Sequence, residues 1–344
     1  MATQLIDAGA QQDWDAMQWN PGEFALRDAW FAVVHSPALT DRPVLRFVHS
    51  RAFHIWRNNG VVHAADRHPA SDDKSPWNSD SRNGAYPVAE RFGHIWVWFG
   101  APDNADPALI PDIPFLALDR APPPYARGFN YFHSTYELVL ENILDLTHVD
   151  FVHGSFRGGG HAAEEDEVRF QSTSETVTMI RTTRGKPTSD YQRDRLGVTA
   201  KFQDQTLFAH VFIRSGMCFL HSRYSAAPSI PLMQTNTPES KTMTRANYAF
   251  GIEQTTDAHY RRAWPRTASM IGNQDESVLN PQNPRYLGRP PRGDCSTRFD
   301  AAGLHYRRRH NALIQRQAQG DVAYEPGALN AEGLAETFGV FRPA

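Results

Sequence analysis

Residues 141–153 read Glu-Asn-Ile-Leu-Asp-Leu-Thr-His-Val-Asp-Phe-Val-His and bring Asp145, His148 and His153 together among mostly apolar neighbours. The three-residue step from Asp145 to His148 places carboxylate and imidazole on one face of a helix. The five-residue step from His148 to His153 turns a regular helix by about 500°, roughly 140° net. Both imidazoles therefore reach one point only if the helix loosens or ends between them. Gly154, with the loop around Gly158-Gly159-Gly160, supplies a terminus. Two histidines at a helix end, joined by one carboxylate from elsewhere, make the facial triad of mononuclear non-haem iron(II), which leaves positions open for dioxygen and substrate. The chain holds 15 histidines, so this spacing also suits ordinary packed imidazoles. Spacing alone leaves both readings open.

The whole string resembles the iron-binding segment of the Rieske non-haem iron oxygenases, Glu-Asn-x-x-Asp-x-x-His, four residues, then His, with Glu141 and Asn142 included. The resemblance implies His148 and His153 as ligands. It also implies Asp145 as the bridge that carries electrons and hydrogen bonding toward the iron across a subunit boundary. Asn142 would support the ligands or line the pocket. A third ligand is implied within residues 271–282, Ile-Gly-Asn-Gln-Asp-Glu-Ser-Val-Leu-Asn-Pro-Gln, where Asp275, Val278, Leu279 and Gln282 fit the family frame. Asn280 and Pro281 depart from it. Glu276 is the rival to Asp275, turned from it by about 100° on a helix.

The other half of the family's machinery is a [2Fe-2S] Rieske cluster held by two cysteines and two histidines. Residues 30–100 resemble the domain that carries it: an opening strand at Trp30–His35, an approach to the first ligand pair at Gly60–Arg67, and a closing hairpin at Tyr86–Phe99. The ligands themselves are missing. His68-Pro69-Ala70 stands where the family has Cys-Pro-His, and a polar stretch from Asp72 to Asn83 replaces the second pair. The chain has two cysteines, Cys218 and Cys295. Cys218-Phe219-Leu220-His221 mimics Cys-x-x-His, but in a strand positions three apart point to opposite faces. The expectation is a Rieske-shaped domain with no [2Fe-2S] cluster of its own.

At 344 residues the chain is long enough for two domains. A proline-rich run from Ala101 to Pro124 reads as an extended linker between them. The division expected is a degenerate Rieske-like β domain over 1–125 and a catalytic domain over 126–344. Strands are predicted through 166–183, 198–213 and 241–251, and helices over about 254–279 and 299–318, the second carrying Arg307-Arg308-Arg309. Thr237-Pro238-Glu239-Ser240 also resembles the family's catalytic domain. The fold class implied is α+β, with a helix-grip (START/Bet v1-like) catalytic domain.

A formal charge of −3 with interspersed signs shows no basic stripe for nucleic acid, and the mean hydropathy, well below zero, suggests no membrane partner. The first 25 residues are polar and read as neither signal peptide nor anchor. Two cysteines suit a reducing cytoplasm. The glycine loop lacks the Gly-Lys-Ser/Thr of a phosphate cradle. The basic triplet suits either a solvated helix face or a docking patch for an acidic redox partner.

These observations imply the catalytic subunit of an oxygenase with one Fe(2+) held by His148, His153 and Asp275. Dioxygen would be co-substrate, and a reductase or ferredoxin would bring the Rieske cluster. The methylxanthine N-demethylases, in which one catalytic subunit borrows a Rieske domain from its reductase, are the precedent by resemblance. The chemistry implied is monooxygenation, above all oxidative N- or O-demethylation, of a small aromatic or heteroaromatic molecule such as a methylxanthine. A homotrimer or hetero-oligomer is implied as well. Two other classes stay open. One is a redox-neutral lyase or hydrolase using iron as a Lewis acid. The other is a non-catalytic structural subunit of an oxygenase complex.

Overall fold

In the computed structural model, residues 26–66, 85–113, 125–154, 166–227, 230–251, 258–287 and 296–323 are described. Four layers follow from runs of apolar residues that bury both strand faces. The largest is an antiparallel seven-stranded sheet, in the order β7-β13-β12-β11-β10-β9-β8. Its strands are β7 (Tyr125–Phe132), β8 (Glu167–Ser172), β9 (Thr176–Pro187), β10 (Phe202–Phe212), β11 (Met217–Tyr224), β12 (Ile230–Ser240) and β13 (Met243–Gly251). Along β10, Leu207, Ala209 and Val211 join the core on one side while Phe208 and Phe212 join the core on the other. Successive strand residues point to opposite faces, so neither face of this sheet centre is left to solvent.

Helices cover one face: α1 (Tyr136–Leu144), the one-turn α2 (Val149–Val152), α4 (Ala258–Leu279) and α6 (Ala301–Ala318). Two short helices, α3 (Asp190–Leu196) and α5 (Asn283–Leu287), complete the set. Against the other face lies a three-stranded sheet, β1 (Ala29–His35), β6 (His94–Phe99) and β5 (Val88–Arg91). Trp30, Trp96 and Trp98 fill that interface with Phe208, Phe219 and Met233. Beyond it sits a second small sheet, β2 (Val44–Val48), β3 (Arg51–Asn58) and β4 (Val61–Ala65). Phe31, Phe53, Ile55, Ile95 and Val97 form the core between those two.

The strand expected at Trp30–His35 and the hairpin expected at Tyr86–Phe99 have counterparts in β1 and β5–β6, and the approach expected at Gly60–Arg67 contains β4, its last residue lying outside the described residues. His68–Ala70, the stretch Asp72–Asn83, the Gly158–Gly160 loop, Cys295 and the linker from residue 114 to 124 lie outside the described residues. The rest of the proline-rich run is not a free linker. Pro102–Asn104 and Pro107–Leu109 form 3-10 turns, and Ile110 and Ile113 are buried with the tryptophans. Thr237-Pro238-Glu239-Ser240 belongs to β12 and is a seam between layers. Thr237 Oγ1 donates to Ala32 O at 2.8 Å, and the carbonyls of Pro238 and Glu239 accept from His49 N and Ser50 N. Cys218 and His221 do diverge: Cys218 is buried on the helix side, whereas His221 stacks near Phe219 on the other.

Seven histidines are buried among the described residues, His153 and six others. Burial pushes His49, His94 and His210 down to about 3, and His35, His221 and His310 down to about 4. A base with a depressed folded-state pKa takes its proton more readily when unfolded, so stability rises with pH across this window. About a pH unit or more above the unfolded value of 6.5 neither state is protonated and the full stability is present. At pH 5 each of the six costs on the order of 2 kcal/mol, from about 1.36 kcal/mol per pKa unit. Summed, that rivals the roughly 5–15 kcal/mol of a typical domain. Acid unfolding is therefore expected near pH 5, followed by tryptophan fluorescence. A chain still fully folded at pH 4 contradicts this assignment.

Candidate metal centre

Helix α1 starts at Thr135, whose hydroxyl accepts from Leu138 N at 3.1 Å. It ends at Leu144, because Asp145 takes φ −89° and ψ 85°. The Asp145 carboxylate accepts from Thr147 N at 2.9 Å, an Asx-type turn that competes with helix continuation. Asp145 and His148 are therefore not on one helical face, contrary to the spacing argument. The break falls before His148, and a single turn, α2, then separates His148 from His153. His153 itself leaves the helix at φ −112° and ψ 23°.

This path turns both imidazoles inward. His148 Nε2 and His153 Nε2 stand 3.3 Å apart, and Asp275 Oδ1 lies 3.3 Å from the first and 3.0 Å from the second. The other ring nitrogens are held from behind. His148 Nδ1 meets the main-chain carbonyl of Asp145, and His153 Nδ1 meets Gln274 Oε1 at 2.9 Å. Asn142 Nδ2 donates to Asp275 Oδ1 at 3.2 Å. Burial is the largest single influence and works to lower the His148 pKa, but the bond and charge of Asp275, with the charge and carbonyl of Asp145, together raise it. For Asp275 burial works upward, and the bonds from His148 and His153 win, holding its carboxyl below the usual carboxylate range.

The donor set has the composition and shape of a divalent-metal site. Two ligands at right angles on bonds of about 2.1 Å are about 3.0 Å apart, and the three separations here are 3.0, 3.3 and 3.3 Å. Among the described residues, His148, His153 and Asp275 are the group of this kind. Anchored Nδ1 atoms fix each ring with Nε2 free to ligate, as metal-bound histidines require.

Asp275 is placed by α4. Val278 and Leu279, three and four residues on, pack into the core beneath α1 and so hold the Asp275 face inward. Glu276, the rival, points away and accepts from His133 N at 3.0 Å. Gly272 lets α4 lie against β7: a Cβ there would stand 2.7 Å from Asn130 Nδ2, which donates to Ser269 O at 3.2 Å. Gly272→Ala is therefore expected to drive the Asn130 amide off Ser269 O and Asn273 Oδ1 and so loosen the hold of β7 on the turn of α4 that precedes Asp275. Metal affinity should fall about tenfold or more, read by titration of the metal-free protein, with little change in far-UV dichroism.

One further residue of the string has structural partners. Glu141 pairs with Arg307 and accepts from Tyr286 at 2.9 Å. Arg307 of the basic triplet is thus a tie between α1 and α6, not part of a docking patch. Gln274 had no signal in the sequence beyond its place beside Asp275. On the same sheet face Tyr224, Tyr248 and Phe250 gather with Leu232, an aromatic wall of the kind small-molecule pockets use. A depression of about 590 Å³ on the opposite face is lined by Arg169, Arg184, Arg223 and Asp204 and does not include the triad.

No helix among the described residues is long and apolar enough to cross a membrane. Residues 132–316 match the family described as "Vanillate O-demethylase oxygenase C-terminal domain". The vanillate O-demethylase oxygenase subunit of Pseudomonas sp. (strain HR199 / DSM 7063) is 38% identical over 96 residues, 28% of this chain and 26% of that one. The toluene-4-sulfonate monooxygenase system iron-sulfur subunit TsaM1 of Comamonas testosteroni is 28% identical over 162 residues, 47% of this chain and 44% of that one. The chain thus matches a quarter to less than half of the length of these relatives. Dicamba monooxygenase bound to 3,6 dichlorosalicylic acid superposes with a TM-score of 0.70 at 19% identity, covering 85% of this chain and 98% of that one. The NdmA QL mutant of Pseudomonas putida CBB5 with caffeine gives 0.62 at 16% identity, over 88% and 95%. The structural likeness establishes the fold. The family match spans more than half of the sequence, and by it the chain belongs to the vanillate O-demethylase oxygenase C-terminal domain family, among the Rieske oxygenase alpha subunits.

Proposed function

We propose that this protein is the catalytic subunit of a non-haem iron monooxygenase that demethylates a small aromatic or heteroaromatic substrate, with electrons from a separate Rieske-bearing reductase or ferredoxin. The observation that carries it is the triad, three donor atoms 3.0–3.3 Å apart with both histidine Nδ1 atoms held. His148, His153 and Asp275 would hold the iron, which when bound supplies dioxygen activation. For an N- or O-methyl substrate, one methyl, O2, two electrons and two protons give the demethylated product, formaldehyde and water. Asn142 and Gln274 keep the ligand atoms aimed while the aromatic wall holds a flat ring and excludes water.

The electron source follows from the cysteines. Of the two cysteines neither begins a Cys-x-His, and the one Cys-x-x-His, at 218–221, has its cysteine buried on the helix side of the seven-stranded sheet and its histidine on the other. Electrons then come from outside, and the face around Asp145 is where a donor reaches the triad. Asp145 is about one-third exposed, and Phe151 of α2, six residues on, is 78% exposed, an apolar side chain that a donor could cover. A cytoplasmic homotrimer or hetero-oligomer suits this reading.

The test is iron and acid-labile sulfide per chain in anaerobically purified protein. About one iron and no sulfide is expected. Formaldehyde should then appear from methylated aromatics only when dioxygen and a Rieske-bearing donor are both added. Turnover under strict anaerobiosis would replace this reading with redox-neutral Lewis-acid chemistry. Absence of iron after reconstitution would leave a structural subunit.

A further inference from the structure

Between the two triad histidines sits a second acid, Asp150, only 4% exposed. Both of its oxygens are taken: Arg181 Nη2 donates to one and Lys186 Nζ to the other. Arg181 is fully buried, and its Nη1 donates to Leu146 O at 2.9 Å, two residues before His148. Its Nε donates to Asp166, which also accepts from Thr183 Oγ1 at 2.8 Å. Lys186 Nζ makes a further bond to Gln205 Oε1 at 2.9 Å. One guanidinium and one ammonium, both from β9, thus grip the segment 146–150 on either side of His148.

The segment needs such a grip. A four-residue helix has no stability of its own, since nucleation is unfavourable and only longer helices recover the cost. Apolar packing is thin here too: Leu146 and Val149 reach the core, while Phe151 stands in solvent. Besides the local Asp145 turn and Gln274 behind His153, the fasteners of residues 146–150 are polar and come from β9. The network balances two carboxylates against two cations, so it tolerates burial while complete and strongly disfavours loss of one member.

We infer that Asp150, Arg181 and Lys186 are positioning residues for the metal centre: they set the spacing of His148 and His153, so that the charge network, more than the apolar core, determines metal affinity. This rests on the triad binding metal, as proposed above. It adds a dependence on residues 31 and 36 positions along the chain that touch neither ligand ring.

The experiment is anaerobic titration of metal-free protein with Co(II), read by its visible absorption bands, beside thermal melts of the same samples. Asp150→Asn and Lys186→Met are expected to weaken Co(II) binding by 10- to 100-fold and to change the band pattern, which reports ligand geometry. Glu175→Gln is the control, because it breaks another buried pair, with Arg214 at 2.8 Å, away from the triad. It should lower the melting temperature yet leave Co(II) affinity within threefold. Lys186→Arg, which keeps a cation, should recover part of the loss. Asp150→Asn preserves shape; should it not fold, Lys186→Met reads the same quantity. If these variants bind Co(II) like the parent with unchanged bands, the network serves stability alone and the inference is wrong. Failure of the unmutated protein to bind Co(II) or iron would instead remove the reading on which it rests.

Discussion

His148→Ala is expected to reduce bound iron from about one per chain to a trace and to lower turnover at least about a thousandfold, while the fold persists. The reason lies in how the three donors are shared. Asp275 Oδ1 faces both imidazoles, so removing one leaves a single imidazole and one carboxylate, too few to hold iron(II) against water. The fold should survive because His148 is anchored by local bonds and the neighbouring core is carried by Leu144, Leu146 and Val149. A ligand that binds only the native state stabilises by an amount that grows with ligand concentration over Kd. Added iron should therefore raise the melting temperature of the parent protein and leave that of the variant unmoved. Gln274→Leu gives the graded counterpart: it removes the acceptor behind His153 and should cost about 10–100-fold in metal affinity. Iron retained by His148→Ala at parental stoichiometry would mean that the triad is not the metal site.

The five-residue step between His148 and His153 left a metal site and packed imidazoles equally open, and all three members of the candidate triad were named from the resemblance to the family string. Helix geometry allowed only one of Asp275 and Glu276 to face the histidines without saying which; in the structure Asp275 does, and Glu276 accepts from His133 N. The helix break was legible only in outline. An Asp followed two residues later by a backbone donor is an ordinary turn signal, yet the regular-helix argument carried Asp145 into the helix, whereas it caps the turn through Thr147 and stands 4.0 Å from His148 Nδ1. Ser189 and Gln192, a capping box, likewise announce α3, which no apolar period revealed. What sequence could not show is the set of groups joined only by folding. Gln274 meets His153 across 121 residues, and Asp150 meets Arg181 and Lys186 across 31 and 36. Nothing local marks a buried Lys or Arg as such, since these residues are exposed by default. Covering both faces of the large sheet also erased the alternation that would have separated its strands cleanly.

Asp145→Asn is expected to keep about one iron per chain yet lower donor-dependent turnover by about a hundredfold or more. The structure makes this substitution unusually clean. His148 is held by the Asp145 main-chain carbonyl, while the carboxylate is 4.0 Å from His148 Nδ1 and instead caps the turn through Thr147. An asparagine oxygen can accept the same Thr147 N–H, so the turn, the ring orientation and the triad should persist. What changes is the charge and hydrogen-bonding capacity of a partly exposed group between solvent and the His148 ring. If Asp145 links an external donor to the iron, that change should strike turnover alone, with KM for the methylated substrate little altered. Iron lost together with activity would show that the carboxylate holds the turn. Turnover near the parental rate with iron intact would show that electrons enter by another route and that the proposed bridge is wrong.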